Sequence, residues 1–275
     1  MIRFDAVSKT YLGGTVAVED FSLRIPERTT TVFLGTSGCG KTTLMRMVNA
    51  MVAPTSGRVL VRGQDVSEQD PVALRRSIGY VLQEGGLFPH RTIADNIATV
   101  PLLEGAPRQA RARALELMDL VGLDRGMAGR YPAQLSGGQR QRVGVARALA
   151  NEADILLMDE PFGALDPLVR ADLQAELIRI REQLGTTILF VTHDIDEAFL
   201  LGDQIAVLRT GGRVAQVGTA QELLSHPADD FVADFVGASR AARPVRIDHR
   251  RGGLVVDEAG TPVGTLREPD QGARP

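Results

Sequence analysis

The chain has 275 residues and a formal net charge of −3, from 31 basic and 34 acidic side chains. That length allows one large or two small domains with a sizeable core. The charge balance argues against a bulk-basic nucleic-acid binder, and 44% hydrophobic with 24% charged residues excludes wholesale disorder.

The Met1–Asp5 start holds no apolar run of the signal-peptide kind, and no stretch approaches the roughly 18 apolar residues of a membrane span. A membrane role would work through a partner. The single cysteine, Cys39, cannot form a disulfide within the chain and suits a reducing compartment. Only Lys9 and Lys41 among the basic residues are lysine, which draws attention to both because lysine and arginine differ in shape and hydration.

In chain order, Thr31-Val32-Phe33-Leu34 reads as a strand buried on both faces. Gly35-Thr36-Ser37-Gly38-Cys39-Gly40-Lys41-Thr42 follows and fits G-x-x-x-x-G-K-[ST], with Thr43-Leu44-Met45-Arg46-Met47-Val48 reading as helix. In such a loop the backbone N–H groups of Gly35, Ser37, Gly38, Cys39 and Gly40 turn inward around phosphate oxygens. The positive end of the helix points at them. Lys41 supplies a compact charge to the β- and γ-phosphates, Thr42 offers its hydroxyl to Mg²⁺, and the cradle extends to Thr43. Cys39 fits as a small packed residue.

The stretch from about 84 to 150 lacks buried-strand runs and reads as a helical insertion, with one helix at 107–121. Within it, Ser136-Gly137-Gly138-Gln139 opens a helical run, and a Ser-Gly-Gly turn at a helix N-terminus is a second anion site. One nucleotide already has its cradle at 35–43, so this turn is expected to complete the site of a second copy. Ile155-Leu156-Leu157-Met158 is a further buried strand, ending in Asp159 and Glu160. Adjacent strand residues face opposite sides. Asp159 is therefore expected to hold Mg²⁺ through water, and Glu160 to act as general base on the attacking water. Asp166-Pro167 caps a helix over 166–184 that Gly185 stops. The strand Thr187–Val191 leads to His193. Alternation of strand and helix predicts a parallel α/β sheet.

After Gly237 the pattern breaks: residues 240–251 hold five Arg and one Asp, then 254–264 reads as strand, turn and strand.

With the Leu135-Ser136-Gly137-Gly138-Gln139 string in place, residues 1 to about 237 resemble the ATP-binding-cassette (ABC) ATPases. The resemblance implies an α/β P-loop NTPase core over 1–237, a helical subdomain inserted at about 84–150, and a short tail at 238–275 reduced to at most one strand pair of a regulatory CBS module. It assigns Tyr11 to stacking on adenine, Gln83 to approaching Mg²⁺ and sensing a transport subunit, Asp166 to the dimer interface, and His193 to the γ-phosphate. ATP and Mg²⁺ are the implied cofactors. The implied assembly is a head-to-tail, ATP-sandwiched pair of copies on transmembrane permease subunits, at the cytoplasmic face of the bacterial inner membrane. Residues 83–101, Asp234–Gly237 and the tail are similar to importers of osmoprotectants such as glycine betaine, carnitine, choline or proline. In such a system an extracytoplasmic binding protein and the permease would choose the solute, because a quaternary ammonium needs an aromatic cage and this chain has no Trp. Nucleic acid is not an expected partner. An importer for another solute, an exporter ATPase and a soluble non-transport ABC ATPase are the other readings.

Overall fold

The structure is a computed structural model, and it describes residues 1–83, 86–105, 107–163, 165–238, 246–248, 254–256 and 262–265. The first half runs β1 (Ile2–Thr10), β2 (Val16–Ile25), β3 (Thr30–Gly35), α1 (Lys41–Val48), β4 (Ser56–Val61), β5 (Gln64–Asp65), α2 (Pro71–Arg76) and β6 (Ile78–Val81). Helices come next, without a strand among the described residues: α3 (Ile93–Ile97), α4 (Thr99–Leu103), α5 (Pro107–Leu120) and α6 (Gly137–Leu149). Strands resume with β7 (Ile155–Asp159), α7 (Pro167–Leu184), β8 (Thr187–Thr192), α8 (Ile195–Leu201), β9 (Gln204–Arg209) and β10 (Arg213–Gly218). The chain ends with α9 (Ala220–Ser225), α10 (Asp230–Phe235), β11 (Arg246–Asp248), β12 (Leu254–Val256) and β13 (Pro262–Thr265).

The chain divides into two compact units, Met1–Gln221 and Glu222–Pro275. The first contains two sheets. One has six strands in the order β10-β9-β3-β8-β7-β6, all parallel except the β9–β10 hairpin. Every residue of β3 and β8 is buried, as expected of central parallel strands covered on both faces. The other sheet is antiparallel, in the order β2-β1-β4-β5, and the sequence pattern does not announce it. Phe4, Phe21 and Phe33 pack between the two sheets with ring centroids 5.1–6.1 Å apart, Phe21 edge-on to each of the others and Phe4 tilted against Phe33. This geometry suits the aromatic quadrupole. The buried face of α1 (Leu44, Met45, Met47, Val48) completes this core. Arg62 pins the antiparallel sheet to the other one, donating to Asp154 just before β7 and to Ser77 just before β6.

In the parallel sheet the order β3-β8-β7-β6 brings four C-terminal strand ends side by side. Leu34 pairs with Thr192, Val191 with Asp159, and Met158 with Val81. The loops that leave these four strands are therefore collected along one edge.

In the second unit, Asp229 caps α10 by accepting from Val232 N, and Phe231 stacks on Phe235. A three-stranded antiparallel sheet, β11-β12-β13, includes the strand pair read from the sequence and adds Arg246–Asp248 within the arginine-rich stretch. The rest of that stretch lies outside the described residues.

Candidate functional site

The loop after β3 turns through glycines that need their missing side chains. Gly38 and Gly40 have φ of +77° and +112°, left-handed values that other residues rarely adopt. A Cβ at Gly40 would sit 2.5 Å from the Ala17 carbonyl oxygen, and one at Gly35 2.7 Å from that of Leu208. Lys41, 4% exposed, folds over the loop and donates to the Gly35 and Thr36 carbonyls at 2.7 and 2.9 Å. Cys39 is fully packed, and burial raises its thiol pKa, which makes it a poor nucleophile.

Thr42, in the first turn of α1, donates its hydroxyl to Asp159 Oδ1 at 2.9 Å. Burial pushes the Asp159 carboxyl upward, against the lowering pull of Thr42 and Arg46. A carboxylate held in a partly desolvated place beside a hydroxyl is a hard-oxygen donor pair of the kind that suits Mg²⁺. The residues present thus fit the metal implied by the motif.

Glu160 does not continue the line of β7. Its φ is +44°, an outlier for a non-glycine residue. The kink is held by Glu160 N donating to Val191 O at 2.9 Å. It turns the carboxylate onto His193, whose Nδ1 lies 3.1 Å from Glu160 Oε2. His193 is 59% exposed, so the ring remains open to a ligand. Gln83 reaches the same corner: a Cβ on Gly163 would lie 3.5 Å from its Nε2 and 3.7 Å from Glu160 O. Tyr11 joins from the antiparallel sheet, its hydroxyl 3.4 Å from Thr43 Oγ1.

The Ser136–Gln139 turn has other neighbours. Ser136 Oγ accepts from Gln139 N, and Gln139 Oε1 accepts from Ser136 N, a reciprocal capping box. A Cβ on Gly138 would lie 2.4 Å from Val169 Cγ1, so α7 approaches this turn closely. Among the described residues no hydrogen bond joins 136–139 to the 35–43 loop of the same chain. Asp166 caps α7, accepting from Val169 N at 3.0 Å. The structure thus brings together Tyr11, the 35–43 loop, Gln83, Asp159, Glu160 and His193. It leaves 136–139 and Asp166 near each other, on the two sides of Val169.

Several contributors escape sequence reading. Asn96 is wholly buried. Its carbonyl oxygen accepts from Phe88 N at 2.7 Å, and its amide donates to the carbonyls of Phe88, Arg91 and Thr92. It shapes the loop that displays Phe88 (40% exposed) beneath the Arg91 guanidinium. Glu197, also buried, accepts from Thr192 Oγ1 at 2.7 Å beside Arg170 and so fixes the strand end that carries His193. The Thr92 N-cap, whose hydroxyl accepts from Asp95 N, is the available hint for the first. A lone Glu within a helix gives none for the second.

Residues 18–163 match the family described as ABC transporter. The chain is 50% identical over 241 residues to the carnitine transport ATP-binding protein OpuCA of Listeria monocytogenes, covering 87% of this chain and 60% of that one. It is 49% identical over 240 residues to the glycine betaine uptake system ATP-binding protein YehX of Escherichia coli (strain K12), covering 87% and 77%. It therefore spans less than two thirds of OpuCA's length but most of YehX's. Among solved structures it resembles the dimeric post-hydrolysis state of the ATP-binding cassette MJ0796 bound to ADP and Pi. That likeness has a TM-score of 0.72 and 33% identity over 80% of this chain and 98% of that one. A family match across more than half the sequence, joined to this identity and to a phosphate loop lying beside Asp159 and Glu160, leaves one conclusion: the chain belongs to the ABC transporter family of ATP-binding proteins.

Proposed function

We propose that this chain is the ATP-hydrolysing subunit of a membrane importer for osmoprotectants of the quaternary-amine type, with its cassette spanning 1–237. The observation that carries the hydrolytic part is the Glu160–His193 contact of 3.1 Å at the edge that also holds Lys41, Thr42 and Asp159. The solute class is supported by the names of the relatives, which speak of carnitine and glycine betaine.

ATP lies with its phosphates in the 35–43 loop and its base on Tyr11. Lys41 exchanges its loop carbonyls for phosphate oxygens. Thr42, Asp159 and Gln83 are the residues that would hold Mg²⁺, which supplies charge neutralisation on the phosphates when bound. Glu160 accepts a proton from water as the water oxygen bonds to the γ-phosphorus and the bond to the bridging oxygen of ADP breaks. With both ring nitrogens protonated, His193 donates Nδ1–H to Glu160, which holds the carboxylate in place, and Nε2–H to a γ-phosphate oxygen. Ser136, Gly137, Gly138 and Gln139 of a second copy close over the triphosphate, and Asp166 lines the same interface. Two ATPs join two copies with two-fold symmetry, and hydrolysis releases them. Among the described residues no helix is long and apolar enough to cross a membrane. Attachment to the cytoplasmic face on this reading runs through permease subunits, for which the Phe88–Arg91 loop is the exposed apolar platform.

The test is Glu160→Gln in the full chain. It is expected to lower phosphate release by about 100-fold or more and to accumulate an ATP-bound dimer on size exclusion. Wild-type turnover would remove Glu160 from the base role. Co-expression with a permease and a binding protein, with uptake of labelled glycine betaine or carnitine as the readout, tests the solute class.

A further inference from the structure

The second lysine of the chain, Lys9, ends over the Tyr11 ring. We propose that Lys9 is a positioning residue for the nucleobase, setting the orientation and the stacking strength of Tyr11. This rests on the reading of Tyr11 as the base platform.

Lys9 Nζ lies 5.3 Å from the centroid of the Tyr11 ring, within cation–π reach. The same ammonium donates to the Ala53 carbonyl at 2.6 Å. Ala53 belongs to the segment leaving α1, and that segment is tied to β1 at Thr55 as well: Thr55 N donates to Ser8 O at 2.7 Å and Thr10 N to Thr55 Oγ1 at 3.1 Å. The ring's far end meets Thr43 Oγ1. Its backbone closes a tight turn, with Tyr11 N donating to Thr15 O and Gly14 N to Tyr11 O. The ring is thus referenced to both ends of α1, whose first turn carries Lys41 and Thr42. It is still 43% exposed, which leaves area for a planar ligand.

Lys9 acts on the base in two ways. A flexible tyrosine on a surface turn would lose rotational freedom on binding a base, and Lys9 removes that freedom beforehand. A cation on one side of a ring draws π density toward itself and lessens the repulsion between the ring and a second π system stacked on it. Both concern the base alone; the phosphates are bound by other groups.

The experiment compares ATP with inorganic tripolyphosphate, which lacks a base, by calorimetric titration of the full chain at fixed Mg²⁺. Lys9→Met is expected to weaken ATP about two- to fivefold and leave tripolyphosphate unchanged. Lys9→Arg, which restores a cation over the ring, is expected to recover most of the loss. Tyr11→Ala should weaken ATP at least as much, and adding Lys9→Met to it should change nothing further. If Lys9→Met weakens both ligands equally, Lys9 only supports the fold and the proposal fails. If Tyr11→Ala weakens ATP but Lys9→Met does not, the proposal fails while the platform reading stands. If Tyr11→Ala leaves ATP binding intact, the platform reading itself falls.

Discussion

At the scale of single residues, the site depends on shapes that neighbouring amino acids cannot imitate. Lys41 is 4% exposed and reaches two backbone carbonyls inside a glycine turn whose walls stand less than 3 Å from any added Cβ at Gly35 or Gly40. A planar guanidinium is larger and carries its donors in a fixed fork. Lys41→Arg is accordingly expected to lose ATPase activity by at least about tenfold with an unchanged circular-dichroism spectrum, measured as steady-state phosphate release. Glu160 shows a different dependence, on backbone. Its left-handed φ aims the carboxylate at His193, a turn that alternation along a strand does not foretell. Asp159 and Glu160 are legible at a strand end because a buried apolar run stops there. Lys9 has no legible partner, because Ala53 meets it only through the pairing of β1 with the chain beyond α1.

At the scale of elements, the central parallel strands β3, β7 and β8 are legible in the sequence, as is the β12–β13 pair, whereas the β1–β2 antiparallel pair is not. Each of β3, β7 and β8 is a short continuous apolar run, and the observed strands exceed the expected ones by only a residue or so. In β1 and β2 the buried positions include Phe4 and Val7, then Val18, Phe21 and Ile25. Those gaps of three and four mimic a helix. The cause is irregular register, with Ala6 and Asp20 at positive φ inserting extra residues between inward-facing ones. The loop before α3 is equally opaque, since its shape comes from one buried amide. Asn96→Ala leaves the Phe88 N–H and three carbonyls without that partner. It is expected to cost about 2–4 kcal/mol in urea denaturation and to weaken co-purification with a permease. Glu197 offers a check with a sign. Burial raises its carboxyl pKa above the unfolded value. The native state therefore holds its proton more tightly, and the associated stability is complete below the unfolded carboxyl range and lost as pH rises through the raised value. Glu197→Gln escapes that loss. Its melting temperature, measured from pH 4 to pH 8, should gain on the parent as pH increases.

At the scale of the whole molecule, strand order does the collecting. Positions as distant as Gln83, Asp159 and His193 become neighbours of Lys41 because β6, β7, β8 and β3 end on one edge. The general rule for open α/β sheets, that ligands gather beyond the carboxyl ends of the strands, applies here. Motifs after strands can be recognised without knowing that order; their meeting cannot. The Ser136–Gln139 turn stands apart, capped on itself and packed on Val169 rather than on the phosphate loop. Each chain on this reading holds two unlike halves of a site and no whole one. Its chemistry is then second order in protein. Below the dissociation constant of the pair, ATP turnover per chain should fall in proportion to dilution. A flat specific activity across a hundredfold dilution range would mean that one chain is enough.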